Sequence, residues 1–297
     1  MEIIKHLPET IAYLENEPMS QHTTFRTGGP ADIMLIPSNE QELSQSLKTL
    51  FELGIKPIII GNGSNLVVSD KGIRGVVIKI SDKFAWTKVS GDIIECGAGI
   101  SLFKLCNIAA ENSLSGGECL FGIPGTVGGA VYMNAGAYGS ETKDILQKVT
   151  YMELDGTVGE LVGTDGYSYR CSPFSGSERI IIGAQFKFNY GKKSEIEEKM
   201  KEIKARRVEK QPLNFPSAGS AFKRPEGYFA AALIEQAGLK GFTVGGAQIS
   251  EKHAGFIVNI NKATTADIKA VISSVKEKVF NMFGVLLEPE VKFIGEE

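Results

Sequence analysis

Ser220 is the first residue whose surroundings suggest chemistry. It lies in NFPSAGSAFKRP, residues 214–225, between small residues and shortly before Lys223 and Arg224. Because Gly219 has no side chain, backbone or a ligand can approach the serine closely. The stretch is not the Gly-x-Ser-x-Gly turn of a serine nucleophile, and no histidine partner is evident. Ser220 is therefore a candidate proton donor or ligand contact, or else an ordinary turn serine.

A short glycine-rich loop is the second candidate. Residues 61–65 read Gly-Asn-Gly-Ser-Asn and directly follow the apolar run PIII. The N–H groups of such small residues can turn toward an anion such as a pyrophosphate. The loop does not match the Rossmann fingerprint, because Leu66 stands at the third glycine position, and it lacks the Gly-Lys-Ser/Thr ending of an NTPase loop. Both of these nucleotide folds are disfavoured.

A second glycine-rich segment spans residues 121–139, FGIPGTVGGAVYMNAGAYG. It has six glycines in nineteen residues and no charged side chain. Glycine often only punctuates turns, so a glycine-rich hairpin or loop is one interpretation. The other is a backbone laid against a large flat cofactor, where side chains would block the approach.

The composition is that of a globular protein. The 297 residues are 42% hydrophobic and 23% charged, and this length suggests two or three domains. A net charge of −3 argues against a general nucleic-acid binder. No segment has the apolar length of a signal peptide core or a membrane span, so we expect a cytoplasmic protein with no membrane partner. The four cysteines lack Cys-x-x-Cys spacing and the three histidines are far apart, so no metal is expected.

The elements that must hold these residues change in character along the chain. Residues 38–54 predict a helix that begins with a capping box at Ser38, and KPIII at 56–60 follows as a strand. Residues 66–190 contain mainly short β-type runs, with a turn at Asp155-Gly156. The opening is therefore α/β and the middle is rich in strands.

One helix, from a Ser101 cap to about Asn112, interrupts these β-type runs. Helices return in the last third of the chain. From Ser194, which opens another capping box, three helical patterns follow, and the last ends on Gly284. The pattern predicts an α+β protein with boundaries near residues 65 and 205.

Five motifs resemble one known family. They are GNGSNLVV, GIPGTVGGAVYMNAGAYG, YRCSPF, PSAGSAFKRP and LEPEVKFIG, in order through nearly the whole chain. Together they are similar to the UDP-N-acetylenolpyruvoylglucosamine reductases, flavoenzymes of bacterial peptidoglycan precursor synthesis. The short connection between FNYG and SEIEEKMKEI resembles the subclass without an inserted tyrosine-bearing loop.

The resemblance implies an α+β, three-lobed flavoprotein with a FAD-binding region of the vanillyl-alcohol-oxidase type and a separate substrate lobe. The implied lobes are an N-terminal α/β FAD-binding lobe at 1–65 joined by the C-terminal strand 285–297, a β-rich FAD-binding lobe at 66–204, and an α+β substrate-binding lobe at 205–284.

Reduction of an enolpyruvyl ether sets two chemical demands. Hydride adds to the terminal methylene carbon, so negative charge develops on the neighbouring carbon and spreads into the attached carboxylate. A cation must meet this charge, and an acid must protonate the carbon. The resemblance implies Ser220 as the acid and Arg170 as the cation, whose planar guanidinium would bind the carboxylate through two parallel N–H donors. It implies Glu290 as the third catalytic residue, although Glu288 lies on the same face of a strand.

The resemblance also implies the ligands and their contacts. The electron donor is NADPH, and FAD is expected to be noncovalent, because no histidine lies between His22 and His253. Expected substrate contacts are Lys210, Lys223, Arg224 and His253. Expected cofactor contacts are Arg26, Gly61, Asn62, Gly63, Ser64, Asn65, Gly122, Gly125, Thr126, Gly128, Gly129, Asn134, Gly136, Ala137 and Gly139.

The expected function is NADPH-dependent reduction of UDP-N-acetylglucosamine enolpyruvate to UDP-N-acetylmuramate, which supplies cell-wall synthesis and hence cell shape and division. Two alternatives stay open: a related FAD oxidase of an alcohol or sugar, and a flavin-binding protein without catalysis. The reductase is favoured over both alternatives because the chain contains all three of Arg170, Ser220 and Glu290. The sequence does not indicate an oligomeric state.

Overall fold

The chain folds into two compact units, each assembled from separate segments. The computed structural model describes residues 2–296, with side chains from residue 3. The first unit is Met1–Leu14, Ile33–Asn62 and Gly75–Ala205; the second is Glu15–Asp32, Gly63–Arg74 and Arg206–Glu297. The chain passes between the units at 62–63 and at 205–206, close to the expected boundaries near 65 and 205, and at three further points. The three-lobe division stays a prediction.

Helices and strands both occur throughout residues 2–296, and no α-helix in that range is long and apolar enough to cross a membrane. The helices are α1 Glu40–Glu52, α2 Leu102–Glu111, α3 Val127–Met133, α4 Lys193–Lys210, α5 Ala230–Gln236 and α6 Thr265–Phe283. The strands are β1 Ala12–Pro18, β2 Pro30–Ile36, β3 Ile58–Ile60, β4 Leu66–Val68, β5 Ile73–Lys79, β6 Thr87–Ser90, β7 Ile93–Gly97, β8 Leu114–Ser115, β9 Gly136–Ala137, β10 Ser140–Glu141, β11 Leu146–Met152, β12 Val158–Val162, β13 Ile180–Lys187, β14 Asn189–Tyr190, β15 Thr243–Val244, β16 Ala247–Ile249, β17 Ile257–Asn259 and β18 Lys292–Ile294.

The first unit is built around an antiparallel sheet with strand order β12-β11-β13-β7-β6. Strands β11 and β12 form a hairpin around the predicted Asp155-Gly156 turn, with Met152 opposite Val158. The central strand β13 is buried along nearly its whole length, because its sequence, IIIGAQFK, consists mostly of apolar and small residues. Helix α3 packs on β13, so the sheet supports the segment that carries the second glycine-rich motif.

Helix α2 begins and ends as predicted, whereas two other predicted helix starts are wrong. The Ser101 hydroxyl accepts a hydrogen bond from the Lys104 N–H and caps α2. Helix α1 is capped by Asn39, whose Oδ1 accepts from the Glu42 N–H at 2.9 Å. Ser38 instead donates its hydroxyl to the Glu42 carboxylate at 2.8 Å. Helix α4 already starts at Lys193, so its serine lies inside the first turn.

The second unit combines a small antiparallel sheet, β15-β16-β17, with helices α5 and α6. Helix α6 is capped at Thr264 and ends on Gly284, which has φ +68° as the prediction of a C-terminal glycine requires. Strand β18 pairs in parallel with β4, with Phe293 opposite Val67. The C-terminal strand predicted to join the N-terminal lobe therefore belongs to this second unit together with residues 66–68.

Candidate active site

Two predicted cofactor segments meet in the first unit. A Cβ atom added to Gly61 would lie 2.6 Å from the Thr126 hydroxyl oxygen, so only glycine allows this approach. The Asn62 side-chain amide donates a hydrogen bond to the Pro124 carbonyl oxygen at 3.3 Å. The first two residues of the glycine-rich loop thus lie directly against the start of the second segment.

The second glycine-rich segment contains helix α3 rather than only a loop or hairpin. The Thr126 hydroxyl caps the helix by accepting from the Gly129 N–H at 3.3 Å. The N–H groups of Val127 and Gly128 donate to backbone carbonyls in residues 98–100. Because these first-turn donors are already used, α3 does not offer them to an anion, and a pyrophosphate must be bound by other backbone groups.

The surface over α3 fits a flat ligand. Gly129 is exposed, and a Cβ atom added there would meet only the Thr126 hydroxyl oxygen, at 3.5 Å. Asn62 and Gly122 are exposed as well, whereas Gly125 is buried. These small, uncharged residues leave the backbone accessible to a ligand, so the residues present fit FAD.

Arg170 lies in a strained tight turn of the first unit. The N–H and C=O groups of Ser168 and Cys171 bond each other in both directions at 3.1 Å, which closes a two-residue loop. Of the two central residues, Tyr169 and Arg170, only Arg170 has a positive φ, +56°. That position of a type II turn normally holds Gly or Asn, and another residue there costs about 1–2 kcal/mol. The surrounding contacts must compensate for this strain.

The Arg170 guanidinium is held from two sides. Its Nη2 donates to the Gly136 carbonyl oxygen at 3.2 Å. Its Cζ lies 4.9 Å from the centroid of the Tyr169 ring, a cation–π distance. The side chain is half-buried, so a planar donor fork is presented in a defined orientation.

The remaining predicted cofactor residues of this unit surround the Arg170 turn. Gly136 and Ala137 form β9, and Gly139 lies in the turn between β9 and β10. Asn134 ends helix α3 with φ +43° and is fully buried. Its side-chain amide bonds to protein groups, so a contact with FAD would have to come from its backbone.

Ser220 and Glu290 come together in the second unit. Ser220 forms a bridge with Phe256, and the next N–H, of Ala221, donates to the Gly255 carbonyl at 2.8 Å. On the other side the Glu290 N–H donates to the Ala221 carbonyl, also at 2.8 Å. The serine segment is therefore the middle of three hydrogen-bonded backbones, and both predicted catalytic side chains are half-buried there.

Asn65 from the first glycine-rich loop joins the same network. Its side-chain amide donates to the Glu290 carbonyl oxygen at 3.1 Å. Its own carbonyl accepts from the Lys292 N–H at 2.9 Å. A predicted cofactor residue and a predicted catalytic residue are thus direct neighbours.

Glu288, the other carboxylate of this segment, forms an ion pair at the surface. The Lys223 ammonium lies 2.9 Å from the exposed Glu288 carboxylate. This hydrogen bond and charge hold the pKa of Glu288 below its ordinary value. Lys223, which is predicted to bind substrate, therefore has Glu288 as its partner. The other predicted substrate contact of this segment, Arg224, has its Cζ atom 4.0 Å from the centroid of the Phe229 ring.

The segment TTFRTGG packs around the other half of the glycine-rich loop. Gly63 has φ +61°, and a Cβ atom there would clash with the His22 carbonyl oxygen. The Thr24 hydroxyl donates to the Ser217 carbonyl at 2.7 Å, and the Asn259 amide donates to the Phe25 carbonyl at 3.1 Å. Sequence reasoning missed Thr24 and Asn259. For Asn259 the signal was available, a polar amide directly after the apolar run FIV.

Two further predicted contacts flank this segment. Arg26 is exposed and has φ +57°, and Ser64 is half-buried between Gly63 and Asn65.

His253 lies near charged groups of both signs. Burial lowers the pKa of its imidazole below the ordinary value; the charges of Lys240 and Lys210 act in the same direction, whereas a backbone hydrogen bond and the charge of Glu235 act against it. Its Nδ1 accepts from the Gly255 N–H at 3.1 Å, so the proton of the neutral ring is on Nε2. The Lys252 ammonium donates to the Val208 carbonyl at 2.6 Å and joins this turn to the end of α4. Neutral imidazole and exposed ammonium groups together suit an anionic ligand.

No metal site competes with this interpretation. Among residues 2–296, no group of three or more His, Cys, Asp or Glu side chains could hold a metal ion. All four cysteines are free thiols: Cys96, Cys106 and Cys119 are buried and Cys171 is exposed.

The class of the protein follows from its fold and its glycine-rich segments. A family model described as an FAD binding domain matches residues 31–162. The glucose dehydrogenase Phl p 4.0202 has a similar fold over 63% of this chain and 43% of its own, with a TM-score of 0.50 at 14% identity. The chain is a flavoprotein with a FAD-binding fold of the vanillyl-alcohol-oxidase type, within an α+β protein.

Closer relatives define the family. A model of the UDP-N-acetylenolpyruvoylglucosamine reductase C-terminal domain matches residues 211–294. The reductase of that name from Caldanaerobacter subterraneus subsp. tengcongensis is 47% identical, over 98% of this chain and 96% of its own length. The crystal structure of the Thermus caldophilus reductase superposes with a TM-score of 0.81 at 34% identity, over 95% of this chain and 98% of that one. The chain belongs to the family of UDP-N-acetylenolpyruvoylglucosamine reductases.

Proposed function

We propose that this protein reduces UDP-N-acetylglucosamine enolpyruvate to UDP-N-acetylmuramate with electrons from NADPH, and so supplies peptidoglycan precursors. The observation that supports the proposal is the backbone network in which the Glu290 N–H donates to the carbonyl of Ala221, the residue after Ser220. The reaction needs a proton donor at an enolate carbon, and this network holds the backbones of the two residues to which we assign the proton transfer next to each other.

FAD is the cofactor that the residues of the first unit would hold. When bound, FAD would supply the hydride chemistry of the reduction, with NADPH as the source of electrons. The exposed backbone around Asn62, Gly122 and Gly129 is the surface on which we expect the flavin nucleotide to lie. No histidine occurs in this unit beyond His6, which supports noncovalent binding.

Arg170 meets the charge that develops in the reaction. A guanidinium offers two parallel donors to a carboxylate, and this pairing strengthens as the carboxylate takes up enolate charge. Its contacts to Gly136 and Tyr169 hold the fork in one orientation before the substrate arrives. Preorganisation of this kind lowers the barrier because little reorganisation is needed during the reaction.

Ser220 delivers the proton to the carbon next to the carboxylate. A hydroxyl is a weak acid, but a carbon-centred enolate is basic enough to take its proton. Glu290, on the adjoining backbone, is the residue to which we assign orientation of the substrate or transfer of a proton to the serine. Glu288 does not take this role, because Lys223 holds it ionised on the exposed side.

The diphosphate of the substrate is bound by the basic residues of the second unit. Lys210 at the end of α4 and the Nε2–H of His253 are the donors that we assign to it. Lys223 and Arg224, close behind the serine, are further substrate contacts, and each already has a defined partner that orients it.

A related FAD oxidase and a flavin-binding protein without catalysis are the alternatives. Neither needs a carboxylate-binding arginine together with a serine and a glutamate at one strand junction. We also propose a cytoplasmic location and a role in cell shape and division. The reason is that the reaction consumes a charged sugar nucleotide and NADPH, which do not cross lipid bilayers unaided.

One absorbance experiment separates the three functions. The purified yellow protein is bleached with NADPH without oxygen, and UDP-N-acetylglucosamine enolpyruvate is then added. Return of the flavin absorbance only with this nucleotide supports the reductase. Reduction by an alcohol or sugar would identify an oxidase, and a protein that neither donor bleaches would be a binding protein.

A further inference from the structure

We propose that Asn134 is the positioning residue for Arg170. This inference rests on the proposed function, in which Arg170 grips the substrate carboxylate. Asn134 is the residue at which helix α3 ends, and its side chain is fully buried. A buried amide must find partners for its two donors and its acceptor, and those partners define what it does.

All three hydrogen-bonding functions of Asn134 are satisfied by different segments. Its Nδ2 donates to the Ser168 carbonyl at 2.9 Å and to the Glu141 carboxylate at 2.9 Å. Its Oδ1 accepts from the Lys143 N–H at 3.0 Å. The Ser168 carbonyl also closes the turn by accepting from the Cys171 N–H, so Asn134 fixes the turn that carries Arg170.

Asparagine suits this position for two reasons. The backbone has φ +43°, a left-handed conformation that Asn tolerates better than most residues. The Glu141 carboxylate can only accept, so it forces the amide to turn Nδ2 toward itself and toward Ser168. Lys143 in turn lies 3.3 Å from Glu141 and holds that carboxylate in place.

A second series of contacts connects the Asn134 side-chain amide to the Arg170 guanidinium. Glu141 pairs with Gly136 across the β9–β10 hairpin. The Gly136 carbonyl accepts from Nη2 of Arg170. Asn134 is therefore connected to two supports of Arg170, the turn through Ser168 and the Gly136 carbonyl through Glu141. Without it, the strained φ of Arg170 loses the contacts that hold it.

The test is N134D in the FAD-loaded protein. Aspartate keeps the shape and tolerates the left-handed backbone, but it has no donor and repels Glu141. We expect flavin content and bleaching by NADPH to stay within about twofold of wild type. Reoxidation by the enolpyruvyl nucleotide should fall by about tenfold to a hundredfold, the usual effect of a misplaced catalytic group. The affinity for UDP-N-acetylmuramate, measured by calorimetry, should fall as well, because the product keeps the carboxylate.

Two comparisons make the result specific. N112D changes the C-terminal asparagine of α2, whose amide donates only within its own helix to Ile108, and should leave both half-reactions unchanged. The double variant of N134D with R170K should lose little more than R170K alone, because both changes remove the same interaction. Losses that multiply would overturn the positioning role, and so would an equal fall in both half-reactions.

A second variant covers the case in which N134D does not fold. E141Q keeps the size of the side chain and weakens the charge-assisted hydrogen bond to Asn134. It should slow reoxidation selectively, by a smaller factor, and unchanged reoxidation would overturn the proposal. A wild-type protein that the enolpyruvyl nucleotide fails to reoxidise would instead refute the proposed function.

Discussion

The side-chain amide of Asn65 donates a hydrogen bond of 3.1 Å to the backbone carbonyl of Glu290. One residue belongs to the first glycine-rich loop and the other to the last strand region, 225 positions later. The Glu290 N–H donates to the carbonyl of Ala221 beside the serine, so a single residue connects the predicted cofactor loop to the segment that carries Ser220. Motifs that lie far apart in the sequence are therefore joined by direct hydrogen bonds in the fold.

Gly129 provides a direct test of where FAD lies. We expect G129A to bind FAD about tenfold more weakly or worse, equal to about 1.4 kcal/mol, because a methyl group would enter the ligand surface. The protein freed of FAD should instead gain about 0.5–1 kcal/mol in unfolding free energy, since alanine favours the helix. Flavin titration and urea unfolding of the apoprotein measure the two effects. Unchanged FAD affinity would place the cofactor elsewhere.

The neighbouring glycine is the matched control. A Cβ atom added to Gly128 would lie 3.0 Å from the Ala98 Cβ, so G128A meets protein rather than open space. Its apoprotein should be less stable than that of G129A. Gly63 is unsuitable for this purpose, because a side chain there would clash with the His22 carbonyl whether or not FAD binds.

Arg170 is tested by its change to lysine. R170K keeps a positive charge but loses the planar fork. We expect normal bleaching of the flavin by NADPH and slower reoxidation by the enolpyruvyl nucleotide, by about tenfold or more in rate, since each lost 1.36 kcal/mol of transition-state binding is tenfold. Stopped-flow absorbance of the two half-reactions measures this. Equal losses in both would indicate flavin loss or misfolding instead.

Local sequence patterns predicted most of the elements that hold the site. The Ser101 cap, the Asp155-Gly156 hairpin and the Gly284 helix end follow from rules that involve only near neighbours, and they are confirmed. Helix α3 was missed as a helix, because its glycines favour turns and its stability comes from packing on β13. The cap of α1 was misplaced by one residue, since Ser38 and Asn39 are both good caps.

The site itself was less predictable from the sequence. The resemblance predicted Ser220, Arg170 and Glu290 as catalytic residues, but the residues that support them come from distant positions. No periodicity relates Asn134 to Ser168 or Thr24 to Ser217, because these hydrogen bonds join loops. The pairing of Glu288 with Lys223 also depends on which strands are adjacent. These relationships need the tertiary fold, which local patterns do not determine.

His253 gives the protein a pH dependence of stability. Its folded-state pKa lies below the ordinary value of 6.5, mainly through burial. As the pH falls below about 6.5, the unfolded chain gains a proton at this residue while the folded protein does not, so stability is lost. Urea unfolding at pH 8 and pH 5.5 should show a larger loss for wild type than for H253Q. Equal losses would mean that His253 titrates normally in the folded protein.

Ser220 is tested by separating the two half-reactions. S220A should fold, bind FAD and be bleached by NADPH at nearly the normal rate, because that step needs no proton on the substrate carbon. Reoxidation by the enolpyruvyl nucleotide should slow by about 10²–10⁴-fold, the usual contribution of a general acid. S220C should recover part of this rate, since a thiol is also a proton donor. Rapid-mixing absorbance without oxygen measures both steps. If S220A is reoxidised at the wild-type rate, the hydroxyl is not the donor, and E290Q becomes the decisive variant, because Glu290 is the titratable side chain on the adjoining backbone.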